Sequence, residues 1–108
     1  MNKVVNYGLG KSNIDAIVSV FSKNIKISSA ILFGSRAKGN FSQGSDVDIA
    51  LKGNGLNLDD LLNASLEIDD LLLPYKFDLI IFERIKEQTL IEHINRVGIK
   101  LYEREIKT

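Results

Sequence analysis

Apolar residues recur at helical spacing at Ile14, Ile17, Val18 and Phe21, which predicts a helix over 13–24 with Ser12 and Asn13 as candidate N-caps. The pattern then closes into a nearly continuous apolar run. Lys26 to Phe33 reads as a buried strand, stopped by Gly34. Residues 35–45 are rich in glycine, serine and asparagine and predict a loop, with one helical turn at Ser35 to Lys38. Val47 to Lys52 reads as a second strand, broken by Gly53-Asn54-Gly55. Leu58 to Leu72 predicts a helix, with Leu61, Leu62, Leu66, Ile68 and Leu72 available for its core face. Asn57 is placed to cap it, and Asp59 and Asp60 suit its positive end. Pro74 ends that segment. Phe77 to Phe82 is a third strand, Lys86 to Arg96 a further helix with Gly98 as its C-cap, and Lys100 to Glu103 a short last strand.

The order α-β-β-α-β-α, with a final β, predicts an α/β (α+β) fold: a small mixed β-sheet with helices packed on it. The short link between the first two strands favours antiparallel pairing, and the helical crossover to the third allows parallel pairing. The 108 residues suit a single domain, 1–108, with one core, and 44% hydrophobic residues exclude a disordered chain. No repeat or internal linker interrupts it. Fourteen basic and fourteen acidic residues balance to zero net charge, which argues against direct nucleic-acid binding. There is no cysteine, hence no disulfide framework and no thiolate metal site. The first residues are too polar for a signal peptide, and no apolar run reaches the ~20 residues of a membrane helix, so a cytoplasmic protein is expected.

Chemistry enters with two acids. Asp46 and Asp48 stand two residues apart at the start of the second strand, a spacing that sends both carboxylates to one face. Asp48 lies between Val47 and Ile49, where an unpaired carboxylate is costly to bury and a cation offsets the cost. Asp78 interrupts the most apolar strand and joins the pair if strands two and three are neighbours. Three carboxylates can hold one or two Mg²⁺ ions. Gly34 and Ser35 form a turn able to bring backbone N–H groups and a hydroxyl to phosphate oxygens. Arg36 and Lys38 can neutralise phosphate charge, although loop cations are commonly only solvated. Together these read as nucleotide chemistry. Gly8-Leu9-Gly10-Lys11-Ser12 is not a P-loop, since Val5 stands where the first glycine is needed, and it reads as the cap of the first helix. The Asp46 segment lacks the third oxygen ligand and glycine of a calcium loop. His93, the single histidine, reads as a surface or packing residue of its helix, and Asp69 and Asp70 as a solvated face.

Leu32-Phe33-Gly34-Ser35-Arg36-Ala37-Lys38-Gly39 followed by Ser45-Asp46-Val47-Asp48-Ile49 resembles the signature of the minimal nucleotidyltransferase group within the DNA polymerase β superfamily. The ending from Ile91 to Glu103 is similar to that group as well. The resemblance runs from about residue 14 to Glu103. It implies a nucleotidyltransferase fold and transfer of a nucleoside monophosphate, AMP from ATP, to an acceptor hydroxyl. Asp46 and Asp48 match the family's metal-binding pair and Asp78 its third carboxylate. Gly34 and Ser35 match its triphosphate turn, with Arg36, Lys38 and Ser45 also assigned to the nucleotide. Lys38 departs from a common arginine, which keeps the charge but changes its geometry. Larger relatives carry added acceptor-binding domains. A minimal domain resembles the antitoxin of HEPN–nucleotidyltransferase toxin–antitoxin pairs, which implies a helical HEPN-type toxin as partner, a hetero-oligomer, and a protein hydroxyl as acceptor. Two other readings stay open: a non-catalytic nucleotide-binding module that neutralises its partner by direct binding, and a transferase for a small molecule of aminoglycoside type.

Overall fold

The computed structural model describes residues 7–42 and 44–105. The elements are α1 (Lys11–Ser22), β1 (Ser29–Phe33), α2 (Ser35–Lys38), β2 (Val47–Lys52), α3 (Leu58–Asp70), β3 (Phe77–Ile81), a 3₁₀ turn (Phe82–Arg84), α4 (Gln88–Val97) and β4 (Ile99–Glu103). They build the expected mixed sheet, with strand order β3-β2-β1-β4. β1 pairs antiparallel with β2 and with β4, while β2 and β3 run parallel across the α3 crossover.

Period-two alternation divides the sheet into two faces. Ala30, Leu32, Val47, Ile49, Leu51, Leu79 and Ile81 pack against Ile17, Val20 and Phe21 of α1 and Ala64 and Ile68 of α3. This is the main core. On the other face Ile31 and Ala50 meet Ile94 of α4, with Phe33, Ile80, Phe82, Ile85 and Leu90 around them. That face carries one helix where the first carries two, and Asp48, two residues before Ala50, belongs to it.

Local chemistry shifts several boundaries. The first strand begins at Ser29 rather than Lys26, because the chain turns before it: the Lys26 N–H donates to Asn24 Oδ1 and the Ile27 N–H to the Asn24 carbonyl. α1 starts at Lys11 behind Gly10, whose φ of 82° favours glycine, so neither Ser12 nor Asn13 is its cap; Asn13 donates its amide to the Leu9 carbonyl instead. Gly98 does follow α4 as C-cap, and its lack of a Cβ lets it lie against Ile94 and Ile31.

α3 differs most from expectation. Ala64 and Ile68 face the core with Leu61 beside them, while Leu62, Leu66 and Leu72 are exposed. Leucines at 58, 62 and 66 form a second stripe at four-residue spacing, and periodicity alone cannot say which stripe points inward. Asn57 caps this helix as expected. Its side chain accepts from the Asp60 N–H, and the Asp60 carboxylate accepts from the Asn57 N–H, both at 3.0 Å.

Candidate nucleotidyl-transfer site

The site gathers where β1 ends and β2 and β3 begin. Parallel pairing sets Asp48 directly beside Asp78, and antiparallel pairing sets Asp48 across from Phe33, the last residue of β1. Residues paired on adjacent strands send their side chains to the same face about 4.8 Å apart. Asp46 lies one step before β2, close enough to act on the Asp48 charge. Asp78, distant in sequence, therefore comes to the same sheet edge as Asp46 and Asp48, since strands two and three are neighbours. Asp46 and Asp48 are part-buried and Asp78 is exposed. Burial, then the charge of Asp78, then that of Asp46 push the Asp48 carboxyl above its ordinary range.

This donor set fits a hard divalent cation. All three candidate ligands are carboxylate oxygens, and their mutual repulsion at Asp48 marks a place short of positive charge. Among the described residues no three acidic, histidine or cysteine side chains are gathered closely enough to hold a metal ion by themselves. Mg²⁺ usually takes only one or two carboxylates and keeps its other positions for water and phosphate.

Gly34 turns the chain from β1 into α2. Its φ of 78° disfavours any side chain, and a Cβ there would sit 2.5 Å from Asp48 Oδ2. The glycine thus serves a close approach between the turn and the carboxylate. Its N–H, expected at the phosphate, already donates to Nε2 of His93 at 3.0 Å. The ring of His93 meets Phe33 edge to face, with centroids 6.3 Å apart. His93 thus packs on Phe33 and also bonds the turn at Gly34. The contact joins residues 59 positions apart, and nothing in the local pattern of α4 announces it.

The other expected phosphate groups fare differently. Ser35 opens α2 directly behind Gly34, and the N–H groups of a helix's first turn have no partner within the helix. Lys38 ends α2 as an exposed cation. Arg36 is not a solvated loop cation: it is 1% exposed and is the largest fully buried side chain among the described residues. Its Nε and Nη2 donate to the Ser45 carbonyl at 3.2 and 2.8 Å, and Nη1 donates to the Tyr7 carbonyl at 2.9 Å. The guanidinium also lies over the rings of Phe41 and Tyr75. It closes the loop back on the fold. Ser45 takes part in the same closure: its Oγ accepts from the Ser42 N–H at 2.9 Å.

A family model of the polymerase β nucleotidyltransferases matches residues 15–107. The chain belongs to that family. No curated protein matches its sequence. Solved structures match its fold. A toxin–antitoxin complex with AMP-PNP aligns at a TM-score of 0.70 and 23% identity, over 86% of this chain and 75% of that one. An MntA–HepT toxin–antitoxin complex aligns at 0.66 and 21%, over 88% and 74%. A tri-AMPylated Shewanella oneidensis HEPN toxin in complex with its MNT antitoxin aligns at 0.66 and 19%, over 87% and 72%. The chain is thus a nucleotidyltransferase that resembles the antitoxins of HEPN–MNT pairs, and no helix among its described residues is long and apolar enough to cross a membrane.

Proposed function

We propose that this nucleotidyltransferase moves AMP from ATP to a hydroxyl of a partner protein, and that the partner is a HEPN-type toxin silenced by the modification. The observation that carries the reading is the register of β2 against β3, which sets Asp48 beside Asp78 with Asp46 adjacent. The likeness to complexes of an MNT antitoxin with an AMPylated HEPN toxin supports the partner and the nucleotide.

In the transfer, the acceptor oxygen forms a bond to the α-phosphorus. The bond from that phosphorus to the oxygen bridging to the β-phosphate breaks, and pyrophosphate leaves. Asp78, exposed at the edge, orients the acceptor hydroxyl and takes its proton. Asp46 and Asp48 face the α-phosphate and the leaving oxygens. Asp46, Asp48 and Asp78 are the residues that would hold Mg²⁺, which when bound would supply charge neutralisation for the phosphates. Gly34 and Ser35 place the turn against the triphosphate, with Lys38 as the cation nearest solvent. Chemistry of this kind rests mainly on positioning and electrostatics. A cytoplasmic location suits an ATP-dependent transfer to such a partner.

A second reading, binding without transfer, draws support from the finding that, among the described residues, no three acidic, histidine or cysteine side chains are gathered to hold a metal ion. One experiment separates the two. The protein is given ATP labelled at the α-phosphate, Mg²⁺ and host lysate, beside an Asp46→Asn/Asp48→Asn control. Label on a protein acceptor with the wild type alone is the expected result. Capture of a partner with no label transferred from any NTP would select the binding reading, and label on a small molecule would replace the protein acceptor.

A further inference from the structure

The bond between Gly34 and His93 has a role that the family's acidic residues do not fill. Gly34 lies just past the end of β1, beyond the last paired residue, so no strand partner takes its N–H. Its left-handed backbone directs that N–H toward α4, where Nε2 of His93 accepts it at 3.0 Å. An imidazole nitrogen that accepts carries no proton, so the ring is neutral with its proton on Nδ1. The ring is held in turn. Phe33 meets it edge to face, and the neighbouring Ile94 is buried against Ile31 and Ala50. Gly98 donates to the Ile94 carbonyl at 2.8 Å and lies close to Ile31, which seats the end of α4 on β1.

We propose that His93 is a positioning residue for nucleotidyl transfer: its Nε2 clamps the Gly34 peptide and so fixes the β1–α2 turn against the Asp48 carboxylate. The proposal rests on the nucleotidyl-transfer reading above. The clamp matters because the separation of turn and carboxylate is set at Gly34, where even a methyl group would touch Asp48 Oδ2. A released peptide is free to rotate, and the phosphate-facing turn then loses its register with the acids. It also assigns the Gly34 N–H to His93, leaving phosphate contact to groups beyond it in the turn.

The test compares His93→Leu, which keeps bulk and removes the acceptor, with His93→Gln, whose Oε1 can accept at a similar reach. Label transfer from α-labelled ATP to the lysate acceptor gives the rates, and hydrogen exchange of the Gly34 amide in the nucleotide-free protein reads the clamp directly. For His93→Leu we expect kcat to fall about tenfold or more with the KM for ATP changed less than about threefold, the signature of lost positioning. Its Gly34 amide should exchange about tenfold faster or more, as a freed N–H does. Glutamine should restore both. A leucine variant that keeps the wild-type rate overturns the proposal, as does a folded glutamine variant no better than leucine. Should the leucine variant fail to fold, the nitrogen shifts of the wild-type imidazole decide: a proton on Nδ1 is expected, and a proton on Nε2 overturns the clamp. If the wild type moves no label, the transfer reading fails, and the Gly34–His93 contact is judged on exchange and tautomer alone.

Discussion

At Asp48 the needs of folding and of chemistry oppose one another. Burial and two neighbouring acids raise its carboxyl above the ordinary 3.8, so the folded chain holds that proton more tightly than the unfolded chain does. Stability linked to this group is therefore full below 3.8, falls as the pH rises through the raised value, and stays reduced at neutral pH. Asp48→Asn removes the charge while keeping the shape. In the absence of divalent cations it should melt at a higher temperature than the wild type at pH 7, while transfer falls by about a hundredfold or more. Adding Mg²⁺ should raise the wild-type midpoint and narrow the gap. Thermal melts with and without chelator check this, and a variant that melts below the chelated wild type contradicts it.

One carboxylate organises the start of α3. Asp60 accepts from the Lys26 ammonium at 2.7 Å, from the Asn57 N–H at 3.0 Å and from the Asn24 amide at 3.0 Å, which ties the helix end to the turn before β1. The Lys26 side chain, followed by the Asn57 backbone, pulls its pKa down to about 2. A depressed carboxylate stabilises fully above its ordinary 3.8, and the contribution is lost as the pH falls toward about 2. Acid titration followed by circular dichroism should show the wild type losing more stability than Asp60→Asn across that window. Equal losses would mean that the carboxylate does not act through this network. The Asn57 cap and the acids behind it are visible in the sequence, because capping is local. Lys26 and Asn24 are not, since only the folded chain brings them near residue 60.

Across the whole molecule, Arg36 joins segments that the strand pairing leaves loose. It bonds the carbonyls of Tyr7 and Ser45 and stacks on Phe41 and Tyr75, with no acidic partner among the described residues. Removing it strands two carbonyls and opens the space between the rings. Arg36→Met should lower stability by about 3 kcal/mol, read from the urea midpoint, since hydrogen bonds from a charged group are worth more than neutral ones and unmet buried acceptors are costly. Arg36→Lys should recover little of this, because a single ammonium cannot span the two carbonyls. If both variants keep wild-type stability, the guanidinium is free for another role, including the phosphate contact that its place in the loop suggests.

What the chain determined by itself was local or periodic. The strand from Val47 to Lys52, the cap at Asn57, the break at Gly98 and the same-face spacing of Asp46 and Asp48 follow from backbone geometry and short-range hydrogen bonds. Even the meeting of Asp48 with Asp78 could be read conditionally, because a helical crossover makes parallel neighbours of the strands it joins. Tertiary structure decided the remainder. It chose Ala64 and Ile68 over Leu62 and Leu66 for the inner face of α3, since two stripes of similar apolarity compete and only the shape of the opposing sheet selects one. It buried Arg36, whose charge alone had suggested the surface, by surrounding it with carbonyls and rings from distant segments. It brought His93 to Gly34 across 59 residues. Such contacts depend on how helices seat on the sheet, a property of packed volumes in three dimensions that leaves no period in a one-dimensional pattern.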